Sequence, residues 1–196
     1  MKVLGLDIST SNVGICLIDS EVPPEHSVVL AIGYPISKLK GLYVKSCAIQ
    51  DAFLSIKKEH TIDVIVVEEP LEAFRKGMSS AHTIAHLNRF NGIISFLART
   101  TFNRPVVLCN AVEARKQVGI KLDKKSEIGT KDQVLTWVKS RAEMQKYAWP
   151  MKQMKSGPHA GQMREEGHCY DIADSFVVSL WGTKFLQSAV LDESVT

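Results

Sequence analysis

The chain has 196 residues, of which 45% are hydrophobic and 23% charged, and its formal net charge is +3. This size and composition fit one folded domain with a substantial core and exclude an intrinsically disordered chain. The small net charge neither requires nor excludes a nucleic-acid partner, so local clusters of charge have to decide.

The cysteines are scattered, and no two of them form a C-x-x-C pair. Neither a zinc ribbon nor a disulfide framework is indicated, and reduced thiols in a cytosol are the simplest explanation. The N-terminus begins as a strand without a signal-peptide pattern, and no apolar run approaches the ~20 residues of a membrane span. We therefore expect a cytoplasmic protein.

The pattern of apolar residues predicts strands first and then alternating helices and strands. In chain order, the predicted elements are strands at 3–6 and 13–18, a loop at 19–27, a strand at 28–32, a helix at 38–60, a strand at 62–67, a loop at 72–79, a helix at 80–101, a strand at 105–108, a helix at 111–118, a basic loop at 121–131, a helix at 132–145, a long loop or insertion at 147–167, a helix at 171–187 and a tail at 190–196. The order predicts an α/β fold with a mixed five-stranded sheet flanked by helices.

Acidic residues follow two of the predicted strands. Asp7 follows the first strand, and Glu68 and Glu69 follow the β-branched run at 62–67. A carboxylate at the end of a buried strand is costly unless a cation meets it, which favours metal or phosphate chemistry. For Asp7 alone, a surface hairpin with an acid at its rim is an equally good interpretation.

Two further acids, Asp171 and Asp174, lie three residues apart at the start of the last helix, and His168 precedes Asp171 by three. Residues with this spacing share a helix face. Because the helix dipole favours negative charge at the N-terminus, the two aspartates taken alone are also explained as helix-stabilising acids.

Taken together, the acids of the two strands and the last helix predict a metal site. Oxygen ligands without a cysteine or a histidine pair suit Mg²⁺ or Mn²⁺ rather than zinc. A cluster of about four carboxylates can hold two such ions ~3.5–4 Å apart and promote phosphodiester hydrolysis.

In this order, the motifs resemble those of the RuvC-type Holliday junction resolvases of the ribonuclease H-like superfamily. The resemblance covers residues 1 to about 182 and is fairly specific as an ordered set, although its first motif alone is weak. The stretches that carry it are Gly5-Leu6-Asp7-Ile8-Ser9-Thr10-Ser11 with Val13-Gly14, Val66-Val67-Glu68, Arg115-Lys116-Gln117-Val118-Gly119, Lys131-x-Gln133-Val134 and Asp171-Ile172-Ala173-Asp174-Ser175.

The resemblance implies a ribonuclease H-like α/β fold, with one nuclease domain at 1–187 and a tail at 188–196. It implies a Mg²⁺- or Mn²⁺-dependent endonuclease that cuts branched DNA as a homodimer and serves DNA recombination and repair. The catalytic metal ligands that it implies, for one or two ions per subunit, are Asp7, Glu68, Asp171 and Asp174. The DNA contacts that it implies are Arg115, Lys116 and Lys131.

Some positions leave alternatives open. Either Glu68 or Glu69 could be the ligand, and Glu68 matches the family position. Leu71 stands near where the family commonly carries an aromatic residue, with Phe74 further on, which puts a junction-opening role in doubt. The stretch 147–167 is extra relative to the family. Compact, divergent resolvases are common in phages, which favours a phage origin and a host cytoplasm.

Several side chains have ordinary as well as functional interpretations. His168 is either a base or electrostatic helper near the metals or a loop residue. His82 and His86 have a metal-binding spacing, but ordinary helix-surface or interface positions are the better interpretation. Trp149 could stack on a base, although a contact that anchors the loop is simpler. The helix at 80–101 either covers the sheet or forms a dimer interface.

Basic residues could form a phosphate-binding face, or simply a solvated lysine surface. They are Arg75, Lys76, Lys116, Lys121, Lys124, Lys125 and Lys131.

Two other functions are weighed against a nuclease. The stretch 5–10 also resembles the first phosphate motif of actin-like and sugar-kinase ATP-binding proteins. That class needs a second Asp-Gly-Gly loop and a duplicated domain, and neither is visible. A non-catalytic nucleic-acid-binding protein on the same fold is the other alternative, which the intact set of acids disfavours.

Overall fold

The structure is a computed structural model that describes residues 1–70, 81–158 and 160–193, with side chains in the last helix up to residue 185. A five-stranded mixed sheet separates two layers of helices, so the predicted α/β fold with a mixed five-stranded sheet is confirmed. The predicted loop at 72–79, which contains Phe74, Arg75 and Lys76, lies outside the described residues, and so does Leu71.

The sheet has the strand order β3-β2-β1-β4-β5. Its strands are β1 (Lys2–Ile8), β2 (Asn12–Asp19), β3 (Val28–Pro35), β4 (Val64–Glu68) and β5 (Val106–Cys109). The first three strands form an antiparallel meander, whereas β4 runs parallel to β1 and β5 runs parallel to β4. The carboxyl ends of β1, β4 and β5 therefore meet at one edge of the sheet.

The helices are α1 (Pro24–Ser27), α2 (Leu42–Glu59), α3 (Ala81–Phe102), α4 (Ala111–Val118), α5 (Thr130–Lys139) and α6 (Cys169–Glu193). Apolar residues of α2 and α3 form a core with one face of the sheet, while those of α4, α5 and α6 form a second core on the other face. No helix in the described part of the chain combines the length and the apolar character that crossing a bilayer requires.

Alternation along the strands decides which side chains face α6. In β1, Leu4 and Leu6 pack in the core with α2 and α3, whereas Val3 packs in the core with α6. In β4, Val66 belongs to the α6 core. Because side chains two positions apart share a face, Asp7 and Glu68 project towards α6.

Helix α6 touches the sheet where the strands carry glycine. A Cβ atom on Gly14 would lie 2.0 Å from the backbone oxygen of Asp171, and one on Gly5 would lie 2.3 Å from Oγ of Ser179. Glycine at these positions lets the helix backbone lie directly on β1 and β2. The start of α6 is thereby held beside the end of β1.

The structure differs from the predicted elements mainly in the second half of the chain. The stretch 147–167, predicted as a long loop or insertion, contains a hairpin, β6 (Met151–Gln153) with β7 (Met163–Glu165). Helix α5 ends at Lys139 and a 3-10 turn follows at Ala142–Met144, so the helix predicted over 132–145 is divided.

Smaller differences concern the ends of elements. The loop predicted at 19–27 contains the short helix α1, and the basic loop ends at Gly129, so Lys131 lies on α5. The last helix continues to Glu193, beyond the predicted end at 187.

Helix α3 covers the sheet with its carboxyl-terminal half. Phe90, Ile94 and Ala98 are buried in the core that α3 shares with the sheet. The first turns are mostly exposed, with Ile84 and Leu87 only partly buried. The predicted apolar stripe therefore serves the fold along its second half.

Candidate functional site

Asp7 and Glu68 lie side by side at the carboxyl edge of the sheet. The parallel register pairs Leu6 with Val67, so the next positions along the two strands bring Asp7 beside Glu68. The turn after β1 is held by Ser9, whose backbone N–H and hydroxyl both donate to the carbonyl of Asn12. The position of Asp7 is therefore set by a regular strand and a closed turn.

The backbone next to Glu68 is also fixed. The buried side chain of Asn91 on α3 donates from Nδ2 to the carbonyl oxygen of Glu68 at 3.3 Å. The next residue, Glu69, donates its N–H to the carbonyl of Cys109 at 2.8 Å. The end of β4 is thus held from both α3 and β5.

Asp171 and Asp174 approach the strand acids from α6. Both belong to the first turns of the helix and are buried, at 9% and 7% exposure. Asp171 is fixed against β2 because its backbone contacts Gly14. The helix dipole at this end partly offsets the negative charge of the two side chains.

The surroundings of Asp7 show that the four carboxylates share one site. Burial raises the pKa of Asp7 well above its usual range, and the negative charge of Glu68 adds to this effect. The carboxylates of Asp174 and Asp171 raise it further, whereas Lys131 lowers it. Charges act this strongly on a partly buried group only when they lie nearby.

The pKa of Glu68 is raised for the same reasons. Burial, followed by the charge of Asp174, raises its pKa to about 7. Arg115 and Lys131 oppose the shift, and Asp171 adds to it. Like-charged groups that must share a site hold on to protons, and a bound cation would release them.

Asp171 completes the set. Burial raises the pKa of Asp171, Lys131 opposes the shift, and Asp174 adds to it. The structure therefore brings together all four acids that sequence motifs singled out, although they come from two strands and a helix.

Arg115 is the direct partner of one of these acids. Its Nη2 donates to Oδ1 of Asp174 at 2.9 Å, and both side chains are mostly buried. Arg115 lies on α4, whose start is capped by Asn110 and whose end is closed by Gly119 in the left-handed conformation. The residue predicted as a DNA contact thus lies inside the carboxylate site, with Lys131 of α5 as a second cation.

Lys116 lies on the exposed surface of α4. It lines a surface cavity of about 330 Å³ on α4 together with Asn110, Val112, Glu113 and Gln117. The charges that act most strongly on Asp7, Glu68 and Asp171 do not include that of Lys116. Of the predicted DNA contacts, the structure therefore places Arg115 and Lys131 at the acids and Lys116 beside them on the surface.

Glu69 lies one position beyond the end of β4. Its charge, with that of Glu68, acts on the buried thiol of Cys109, whose pKa burial raises to about 12. The charges that act most strongly on Asp7, Glu68 and Asp171 do not include that of Glu69. The geometry favours Glu68 over Glu69 as the member of the site.

His168 lies at the edge of the cluster. Its ring packs on the backbone of Gly33, and its Nδ1 is 3.6 Å from Oε2 of Glu166. His168 also lowers the pKa of Asp171, which places it near the carboxylates.

The donor set fits a hard divalent cation. Four carboxylates face two cationic side chains, so the cluster retains an excess of negative charge. Carboxylate oxygens are the ligands that Mg²⁺ and Mn²⁺ prefer. Within residues 1–70, 81–158 and 160–193, no group of three or more His, Cys, Asp or Glu side chains forms a ready metal cage. Instead, Arg115 holds one oxygen of Asp174.

The histidine pair on α3 and Trp149, the other candidates from the sequence, have no described contact with the carboxylate cluster. His82 and His86 stack on the exposed start of α3, with ring centroids 5.9 Å apart. Trp149 meets the edge of the Tyr147 ring at 5.0 Å and packs on the α6 core, which confirms the anchoring contact.

Sequence patterns alone did not reveal the contacts that assemble the site. Arg115 and Asp174 are 59 residues apart, and no spacing rule joins them. Gly5 and Gly14 were visible in the first motif, but their role in admitting α6 requires the tertiary structure.

No protein-family model and no curated protein matches the chain in sequence. Solved structures do match it. RuvC from Thermus thermophilus superimposes with a TM-score of 0.62 at 13% identity, over 96% of this chain and 97% of that one. T. thermophilus RuvC in complex with a Holliday junction substrate gives 0.60 at 11% identity, over 94% and 96%.

The yeast mitochondrial Holliday junction resolvase Ydc2 gives a TM-score of 0.55 at 16% identity, over 99% of this chain and 84% of that one. At such low identity the likeness shows the fold, which is shared over nearly the whole chain. The resemblance to RuvC-type resolvases drawn from the motifs is confirmed at this level.

Proposed function

We propose that this protein is a divalent-metal-dependent endonuclease that cuts branched DNA, such as Holliday junctions, by phosphodiester hydrolysis. One observation carries the proposal. Asp7, Glu68, Asp171 and Asp174 form a single cluster at the edge of a sheet whose fold is shared with a structure of RuvC bound to a Holliday junction.

In this proposal the four carboxylates are the metal ligands, for one or two Mg²⁺ or Mn²⁺ ions per subunit. Bound there, such ions would supply a nucleophile from water and charge stabilisation for the displaced 3′ oxygen of the phosphodiester. The strands and α6 hold the carboxylates in place before DNA arrives, which lowers the cost of ordering the site.

The cationic side chains have a separate role. Arg115 and Lys131 offset negative charge at the carboxylates and present positive charge to the phosphate that enters the site. Lys116, on the exposed surface of α4, contacts the backbone of the same strand. His168 acts as an electrostatic helper beside Asp171.

The proposal includes a homodimer, because a four-way junction presents two equivalent strands and a two-fold pair of sites cuts them symmetrically. The carboxylates lie on the α6 side of the sheet. The exposed Tyr43 of α2 and Phe96 of α3, on the opposite layer, leave apolar surface available to a second copy.

The test is incubation with end-labelled four-way junctions, flaps, linear duplex and RNA–DNA hybrid, each with Mg²⁺ and with Mn²⁺. We expect the wild-type protein to cut the branched substrates and Asp7→Asn to bind them without cutting. Asp51→Asn, on the exposed surface of α2, is the matched control and should cut normally.

Two outcomes would overturn the proposal. Binding of junctions by the wild-type protein without cutting in either metal would favour a non-catalytic binding protein. Cutting of the RNA–DNA hybrid alone would make the protein a ribonuclease H.

A further inference from the structure

The β6–β7 hairpin projects from the fold next to the carboxylate cluster. Its second strand ends at Glu165, and α6, which carries Asp171 and Asp174, begins at Cys169. The hairpin is therefore joined by a short segment to the start of the helix that carries two of the acids.

The base of the hairpin is firmly attached. The backbone N–H of Glu166 donates to the carbonyl of Pro150 at 3.0 Å, and Sγ of Cys169 donates to the same oxygen at 3.4 Å. Glu165 pairs with Lys139 of α5, whose ammonium also lies 5.6 Å from the ring centroid of Trp149. These contacts fix the direction in which the hairpin leaves the domain.

The strands themselves are exposed on both faces. All residues of β6 and two of the three in β7 are exposed to solvent. A two-stranded ribbon is only marginally stable in water unless something else supports it. The ribbon thus offers its side chains to a partner rather than to the core.

One face of the ribbon is cationic. Lys152 lies directly opposite Arg164 in the antiparallel register. Like charges at directly opposed positions repel each other and weaken a hairpin. Within the described residues, no carboxylate forms an ion pair with Lys152, Arg164 or the nearby Lys155. A polyanion bound to both side chains would offset their mutual repulsion, so it is the kind of partner that this face fits.

We propose that the face of the hairpin carrying Lys152 and Arg164 binds the sugar-phosphate backbone of a DNA arm that leads into the carboxylate site. This inference rests on the proposed function, since DNA is the polyanion that the site would cut. The hairpin supplies a phosphate contact outside the cluster, and its fixed base sets the arm's direction. It contributes affinity and positioning rather than chemistry.

The test compares two double variants that remove the same charges. Lys152→Ala with Arg164→Ala removes the cationic face. Lys58→Ala with Arg104→Ala is the matched control, because both of these residues are exposed and precede β4 and β5 at the opposite edge of the sheet. Binding of a labelled four-way junction is measured by fluorescence anisotropy in EDTA, so that no cutting occurs, over a series of salt concentrations.

We expect the hairpin variant to bind the junction on the order of tenfold more weakly than the wild type. The slope of log Kd against log salt should fall by about two, since two phosphate contacts are lost. The control should retain the wild-type slope. Thermal unfolding should show both variants folded, because neither pair of residues is buried.

Equal binding by the hairpin and control variants, with the wild type binding the junction, would refute the hairpin contact and leave the proposed function standing. Failure of the wild-type protein to bind any branched DNA would refute both. The two failures are therefore distinguishable in one set of titrations.

Discussion

At the scale of single residues, the cluster is an arrangement that costs stability. Asp7, Glu68 and Asp171 all have raised pKa values because burial and neighbouring carboxylates disfavour their charged forms. Arg115 and Lys131 offset only part of this charge. Carboxylates whose pKa values are shifted by burial and by one another cluster at functional sites in proteins.

The raised pKa of Glu68 gives a pH dependence with a definite sign. In the unfolded chain Glu68 loses its proton near pH 4.5, but in the folded protein it does so near pH 7. Between these values the folded protein holds more protons, so the contribution of Glu68 to stability falls as pH rises.

Thermal unfolding in EDTA, from about pH 4.5 to 8, measures this effect. Glu68→Gln removes this titrating group, so the Tm of the variant minus the Tm of the wild type should increase as the pH rises across that range. An unchanged difference between the two proteins would show that Glu68 titrates normally. Glu113→Gln, on the exposed surface of α4, is the control.

At the scale of elements, the position of α6 on the sheet determines whether the site exists. The helix supplies Asp171 and Asp174, and the glycines of β1 and β2 let it approach. Hydrophobic periodicity predicts that a helix forms here. It does not show that the helix backbone packs directly on glycines of the sheet, so the position of α6 was not predictable.

Replacing Gly14 by alanine should disturb this contact. Its Cβ would lie 2.0 Å from the backbone oxygen of Asp171, so α6 must shift, at a cost of ~1–3 kcal/mol in unfolding free energy. Junction cutting should fall together with stability, because Asp171 moves.

Gly92→Ala on α3 is the control, since nothing lies within 4 Å of its added Cβ. It should stabilise the protein by about 0.5–1 kcal/mol through helix propensity. Urea unfolding of both variants distinguishes the two effects. Equal stability of Gly14→Ala and the wild type would mean that α6 is not seated as described.

Predictability also differed between elements. Long amphipathic segments such as α2 and α3 were found from spacing, with their ends shifted by a few residues. The β6–β7 hairpin was missed because its strands have three residues each and are almost fully exposed, so no burial pattern marks them. Contacts such as Arg115 with Asp174 join distant parts of the chain and were not predictable from sequence spacing.

At the scale of the whole molecule, the fold brings acidic residues from distant parts of the chain to one edge of the sheet. Parallel strands bring Asp7 and Glu68 to the same end of the sheet, and α6 returns across them with its own two acids. Sequence motifs anticipated this convergence because each acid ends a strand or begins a helix. Helices α4 and α5 then place Arg115 and Lys131 at the same edge.

The central claim is that the four carboxylates bind divalent ions, and anomalous X-ray scattering from crystals grown with Mn²⁺ tests it most directly. We predict a Mn²⁺ signal bounded by Asp7, Glu68, Asp171 and Asp174 in the wild-type protein, and its loss in Asp7→Asn. Wild-type crystals with no signal at these residues, or with Mn²⁺ only elsewhere, such as beside His82 and His86, would contradict the claim.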